Sequence, residues 1–202
     1  MTLQLILAAL LGYLLGSIPF GYLAGRLKGV DVRAHGSGRT GGTNVWRAAG
    51  LGPAALTVLG DLLKGVVAIW LARYWWHNEW AAALAGAMAV IGHNWPVWLG
   101  FQGGAGGVVG GATLAILNGM TATVVLPLAV INLFLTRYAS IGTLTVGLGS
   151  LFVLGGIWLW HPEVVPLPHV IYGLFVAAAI TWSLRPNLRR LRAGTERAIT
   201  LW

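Results

Sequence analysis

The sequence predicts an all-α fold, a polytopic transmembrane helix bundle of about seven helices, and three observations lead to it. Of 202 residues, 57% are hydrophobic and only 9% charged, at a mean hydropathy of +0.76, whereas soluble domains carry roughly 25% charged residues. Apolar stretches long enough to cross a bilayer recur along the whole chain and leave little for a soluble unit, so residues 1–202 read as a single transmembrane domain. The net charge of +8 is concentrated in residues 26–47 and 185–197, and basic clusters beside apolar helices mark cytoplasmic loops and lipid headgroup contacts. That placement argues against nucleic acid as a partner. With no cysteine, disulfides and thiolate catalysis are excluded.

The apolar stretches run over about 3–25, 54–73, 81–99, 108–135, 141–160 and 169–184. Residues 1–25 lack a basic leading region and a small-residue cleavage site, so they are read as a retained first span. Ser17, Pro19 and Gly21 interrupt that span near its inner end. The stretch 108–135 is too long for one simple span and holds Asn118-Gly119 near its middle, then Pro127, which suggests two short helices. Charge supports the split: if 26–47 and 185–197 are both inside, an even number of spans separates them, and only a hairpin at 108–135 gives six. The prediction is seven helices, N-terminus outside and C-terminus cytoplasmic. Trp75, Trp76 and Trp80 flank one expected outer linker, Trp158 and Trp160 the other, and Trp95 and Trp98 an inner boundary, as headgroup-level anchors do.

This topology gathers loop 26–53, segment 92–107, loop 136–140 and the tail from Arg185 on one face. Loop 26–53 carries Gly36, Ser37, Gly38, Thr40, Gly41, Gly42, Thr43 and Asn44, many backbone N–H groups and small donors, beside Arg33, Arg39 and Arg47. Such a loop is suited to an anion, and specifically to a phosphate at a membrane surface. The second glycine-rich segment has Gly103, Gly104, Gly106 and Gly107 ahead of an apolar helix. It reads equally as an anion site at a helix N-terminus and as close helix packing through small residues.

Other polar residues admit two readings each. His93 is a phosphate donor or base, or a structural histidine at a helix end. Asp61 and Lys64, three apart in an apolar helix, read first as a structural ion pair. Arg137, Tyr138 and Ser140 offer a charge and hydroxyls on a short inner loop; a positive-inside anchor explains Arg137 equally well. The tail arginines read mainly as lipid anchors, which leaves Asn187 and Glu196 unexplained. No Ser-His-Asp order, histidine-rich metal cluster or paired carboxylates are evident, so neither metal nor cofactor is expected. The inventory suits chemistry by positioning and charge neutralisation.

In order, GSIPFGYLAGRLKG, DVRAHGSG-x-x-G-x-TN-x-x-R, DLLKG, GH-x-x-P, FQGG-x-G, RYASIG and N-x-x-RL-x-x-GTE resemble the landmarks of the bacterial integral-membrane glycerol-3-phosphate acyltransferases that use acyl phosphate, the PlsY family. The resemblance covers nearly the whole chain. It implies acyl transfer from acyl phosphate to the 1-hydroxyl of sn-glycerol 3-phosphate, giving lysophosphatidic acid for phospholipid synthesis, in a bacterial cell membrane with the site facing the cytoplasm and no metal requirement. By motif, Ser17, His93 and Asn187 are then candidate catalytic residues. Candidate substrate-binding residues are Arg33, Gly36, Ser37, Gly38, Arg39, Thr43, Asn44, Arg47, Gly103, Gly104, Gly106, Arg137 and Ser140. The expected partners are acyl phosphate, glycerol 3-phosphate and membrane lipids.

Three positions depart from the family pattern: Arg39 in place of asparagine, Ala105 in place of lysine, and Leu184 in place of histidine. Arg39 is read as supplying the cation that Ala105 lacks. The alternative is a catalytically impaired paralogue acting as an anion-binding or regulatory membrane protein. A small-anion transporter fits less well, because the polar groups gather at one face and not at the midplane.

Overall fold

The computed structural model describes residues 1–200, which form ten α-helices and two 3-10 turns with no strand among them. In chain order the helices are α1 (Thr2–Gly16), α2 (Phe20–Arg26), α3 (Gly42–Ala49), α4 (Leu51–Trp76) and α5 (Glu79–Asn94). They continue with α6 (Gly107–Leu117), α7 (Gly119–Thr136), α8 (Ala139–Trp160), α9 (Leu167–Ser183) and α10 (Arg185–Arg192). Four helical segments are long and apolar enough to cross a membrane: Thr2–Arg26, α4, α7 and α8. A fifth is α9 taken together with α10, from which it bends by 60°.

Every apolar stretch becomes helix, and the breaks have local causes. Residues 108–135 are two helices, as expected from Asn118-Gly119: the Asn118 side chain caps α7 by accepting from the Thr121 N–H at 2.9 Å. On the other side of the break, Arg73 donates to the Ile116 and Leu117 carbonyls that end α6, at 2.8 and 3.2 Å. Glu79 holds Arg73 in place and also meets His169 at 2.9 Å. The helix expected over 81–99 stops at Asn94, because the residue before Pro96 is biased out of the α region. α5 and α6, at 16 and 11 residues, are accordingly shorter than a full span.

Packing places small residues inside and large apolar ones outside. α5 lies against α1, α4, α6 and α9, and eight of its eleven buried positions are alanine or glycine. Leu10, Leu14, Trp70, Phe152 and Phe175 face outward and are exposed, as on a surface that lipid covers. The tightest seam joins Gly12 and Gly16 of α1 to Ala85 and Ala89 of α5. A Cβ on Gly12 would stand 2.1 Å from the Ala85 carbonyl oxygen, and one on Gly16 2.2 Å from that of Ala89. Both pairs have small residues four apart, so the backbones meet directly.

Gly16→Val is therefore expected to lower stability by about 1–3 kcal/mol, the usual cost of overpacking. Gly155→Val, at a helix position where a Cβ meets nothing within 4 Å, should lie near wild type. Thermal unfolding of both variants in one detergent checks the difference.

Candidate active site

The segment after α5 folds back onto the helix it leaves. Gly103 and Gly104 donate their N–H groups to the Asn94 and His93 carbonyls at 3.2 and 3.0 Å, serving helix C-terminal acceptors that have no partner within α5. Glycine is required for this return, since a Cβ on Gly104 would lie 2.0 Å from His93 Nε2. Gly106 then adopts φ +87° and starts α6. The Thr40 N–H joins the two glycine-rich loops through the Gly103 carbonyl at 3.4 Å.

Asn44 organises the first loop. Its Oδ1 accepts from the Ser37 N–H at 2.9 Å, and its Nδ2 donates to the Val32 and Arg39 carbonyls at 2.9 and 2.8 Å. This buried amide fixes the loop's path and leads the chain into α3.

Between these loops lies a cavity of about 170 Å³. Three helix N-termini open onto it: α3 through Gly42 and Thr43, α6 through Gly107 and Val108, and α8 through Ala139 and Ser140. First-turn N–H groups lack intrahelical acceptors and carry the positive end of the helix dipole. Arg39, Arg47, Arg190 and Arg197 add four guanidinium groups to the wall, against the carboxylates of Asp61 and Glu196. The result is a small chamber suited to a phosphate.

Arg39 crosses from the first loop to the end of α9, donating to Ser183 Oγ at 3.1 Å and to the Ser183 carbonyl, while Ser183 Oγ donates to the Gly104 carbonyl at 3.1 Å. Burial, and then the nearby charge of Arg190, lowers its pKa from the ordinary guanidinium value. Since Gly104 precedes Ala105 and Ser183 precedes Leu184, the three departures from the family pattern lie around one hydrogen-bonded junction. Ala105 and Leu184 both line the cavity.

The chain closes over the cavity after α10. Glu196 accepts from Ser140 Oγ at 3.1 Å, Asn187 Nδ2 at 2.6 Å and Arg190 Nε at 2.8 Å. Arg47 donates to the Ala198 carbonyl at 3.0 Å, and the Ile199 N–H to the Arg137 carbonyl at 2.7 Å. Residues 193–200 thus form a strap held from three sides.

The cavity wall includes Ser37, Arg39, Thr43, Asn44, Arg47, His93, Gly106, Ser140 and Asn187, drawn from all four segments expected on one face. Other candidates sit elsewhere. Arg33 forms a two-point pair with Asp31 at 3.0 and 2.8 Å and stacks over Tyr22, so its charge is used locally. Those hydrogen bonds hold the Asp31 carboxyl at about 2. Ser17 is fully buried behind the wall, its Oγ without a partner, in a recess shared with Lys64 and His93. Gly36 serves the turn against Asn44, where a Cβ would meet Oδ1 at 2.2 Å. Gly38, Gly103 and Gly104 line a separate cavity of about 450 Å³ on the far side of Arg39. Arg137 lies outside the lining and contributes its carbonyl to the strap.

Sequence reasoning did not single out Thr143, Arg190 and Arg197 as wall residues, and it read Asp61 first as half of a structural ion pair. Asp61 had a signal, since an intramembrane carboxylate is costly enough to imply a purpose. Arg190 and Arg197 look identical in sequence to headgroup anchors.

Glu196→Ala removes three hydrogen bonds to a carboxylate, each ordinarily about 1.5–3 kcal/mol. Limited trypsinolysis after Arg197 should then accelerate roughly tenfold or more, with the helical content unchanged by circular dichroism.

A model of the glycerol-3-phosphate acyltransferase family matches residues 6–194. Among curated relatives, glycerol-3-phosphate acyltransferase of Rubrobacter xylanophilus is 44% identical over 95% of this chain and 94% of its own. That of Thermus thermophilus is 42% identical over 94% and 92%. Two solved structures of PlsY, an integral membrane glycerol 3-phosphate acyltransferase, superpose at TM-scores of 0.85 for the glycerol 3-phosphate form and 0.83 for the lysophosphatidic acid form. Both are 28% identical, over 96% of this chain and 95% of PlsY. Matched over nearly its full length by relatives above 40% identity, and built of apolar helices around an arginine-walled chamber, this multi-pass membrane protein belongs to the glycerol-3-phosphate acyltransferase family.

Proposed function

We propose that this protein transfers a fatty acyl group from acyl phosphate to the 1-hydroxyl of sn-glycerol 3-phosphate, giving lysophosphatidic acid and inorganic phosphate for phospholipid synthesis. The observation that carries this reading is the convergence of three helix N-termini and four arginines on one cavity. Both substrates bear phosphate, and the carbonyl oxygen of the donor gains negative charge in the transition state, where fixed donors are most effective. The acceptor oxygen bonds to the acyl carbon, the bond from that carbon to the phosphate oxygen breaks, and the hydroxyl proton leaves with a substrate phosphate. Among the described residues no lining hydroxyl is hydrogen-bonded to a histidine, and Ser140 is turned to Glu196. Direct transfer between bound substrates fits that wall better than an acyl-enzyme intermediate.

Within this reading, Arg39, Arg47 and the amides of Thr43, Gly106 and Gly107 are the phosphate contacts. Ser37, Ser140 and Asn187 orient the acceptor. Arg39 stands in for the cation absent at Ala105, held by Ser183 and the glycine turn. Gly103 and Gly104 act by shaping the α6 entrance. Ser17 and Arg33 support the fold around the site rather than touching substrate. The acyl chain enters from the bilayer and glycerol 3-phosphate from the cytosol of a bacterium. The bundle crosses the cell membrane seven times, N-terminus outside.

A second reading has support in Leu184 and Ala105, two apolar side chains on a wall built for phosphate. In that case the chain binds an anion but does not turn over.

Purified protein given acyl phosphate and glycerol 3-phosphate should release inorganic phosphate and form lysophosphatidic acid. An Ala105→Lys, Leu184→His double variant active where the wild type is silent would establish the second reading. Arg39→Ala should raise KM for a phosphate-bearing substrate by roughly tenfold or more, as expected for lost charge-assisted hydrogen bonds. Unchanged KM in an active variant would remove Arg39 from the site.

The cysteine-free chain also lets topology be read by single substitutions. Glu163→Cys should react with a membrane-impermeant maleimide on intact cells, and Ala193→Cys only after permeabilisation.

A further inference from the structure

Below the cavity floor, Lys64 Nζ reaches three groups at once. It lies 2.7 Å from Asp61 Oδ1 as an ion pair, and it stands 3.0 Å from the Ile18 carbonyl and 3.0 Å from His93 Nδ1. All three side chains are almost completely buried. A lysine paired with a carboxylate at that distance is an ammonium, with three hydrogens and no lone pair. Against it, Nδ1 of His93 acts only as an acceptor. A neutral imidazole whose Nδ1 accepts carries its hydrogen on Nε2. A doubly protonated ring would set N–H against N–H and one cation against another.

The remote end of the ring has no such partner. Among the described residues Nε2 makes no hydrogen bond, and His93 forms part of the cavity wall beside Asp61, Ala105 and Gly106. The ring lies over Gly104, where only glycine leaves it room. One competitor exists: Asp61 Oδ1, which already takes the Lys64 ammonium at 2.7 Å, also lies 3.4 Å from Nδ1. It would attract an Nδ1 hydrogen if Lys64 were absent.

We propose that Lys64 is a positioning residue that locks His93 as an Nε2–H donor facing the cavity, so that His93 gives a hydrogen bond to a substrate oxygen and does not serve as the base. The inference rests on the proposed reaction only in naming that oxygen as phosphate or acyl carbonyl. Asp61 holds the ammonium in register, and the Ile18 carbonyl ties it to the break between α1 and α2.

Nitrogen-15 NMR of histidine-labelled full-length protein at neutral pH reads the tautomer directly, with the His93 signals assigned from a His93→Gln sample. The wild type should show Nε2 protonated and Nδ1 bare. Lys64→Met should reverse this, as Nδ1–H turns to Asp61, whereas Asp61→Asn should leave Nε2 protonated. A wild-type spectrum with Nδ1 protonated overturns the proposal, as does a folded Lys64→Met variant with no reversal; should Lys64→Met not fold, the wild-type spectrum decides alone. In kinetics, His93→Gln keeps an N–H donor near the Nε2 position and should retain kcat/KM within about tenfold, while His93→Ala loses roughly 10–150-fold. Equal losses in both variants would contradict the donor role. The NMR arm needs no turnover, so inactivity toward acyl phosphate would reject the proposed reaction and leave the tautomer lock standing.

Discussion

The Lys64 ammonium is the interaction on which the arrangement depends. It is a charge in the interior of an apolar bundle, tolerable only because a carboxylate, a carbonyl and an imidazole nitrogen surround it. Each partner comes from a different constraint. Asp61 shares its helix face, Ile18 O is available because the first rod breaks before Pro19, and His93 sits at the last turn of α5. Losing any one would leave a buried charge or dipole uncompensated, so the group fixes α1, α2, α4 and α5 relative to one another directly under the site.

Above that floor, the chamber is built mostly from backbone. Two short helices, α3 and α6, and the full-length α8 aim their N-termini at it, and glycine allows the chain to turn sharply enough at the first two. α5 and α6 are too short to be ordinary spans because their neighbouring segments are diverted to line the cavity. What looks like a defect in membrane-spanning regularity is the means by which unpaired N–H groups collect at one point. Non-helical backbone of this kind is tolerated at membrane depth only where protein or a water-filled cavity surrounds it.

The strap after α10 completes the chamber with side chains that would otherwise lie on the surface. Glu196 offsets part of the arginine charge and connects α8, α10 and the tail through Ser140, Asn187 and Arg190. The remaining positive excess suits the cavity to an anion. Arg39 belongs to the same economy of position: its guanidinium braces α9 against the glycine turn while forming part of the wall.

Much of this was legible in the sequence because it depends on local or short-range features. Composition and the lengths of apolar runs identify a helical membrane bundle, Asn118-Gly119 marks the hairpin, and the i, i+3 spacing of Asp61 and Lys64 puts them on one face. Glycine, hydroxyl and arginine content marks the first loop as suited to an anion, while the second glycine-rich segment reads equally as close packing. Which side chain points inward is decided across the fold. Asn44 resembles a ligand in sequence but is occupied as a brace, and Arg33 is neutralised by a residue two positions away. Arg190 and Arg197, indistinguishable from headgroup anchors, are turned inward by Glu196 and the strap. Sequence alone determined that a face rich in backbone N–H groups, hydroxyls and arginine would form at the ends of apolar helices, since hydropathy and glycine content act locally. Only the tertiary structure decided which arginines and amides share one cavity, because residues more than a hundred positions apart meet there and their hydrogen bonds compete for the same groups.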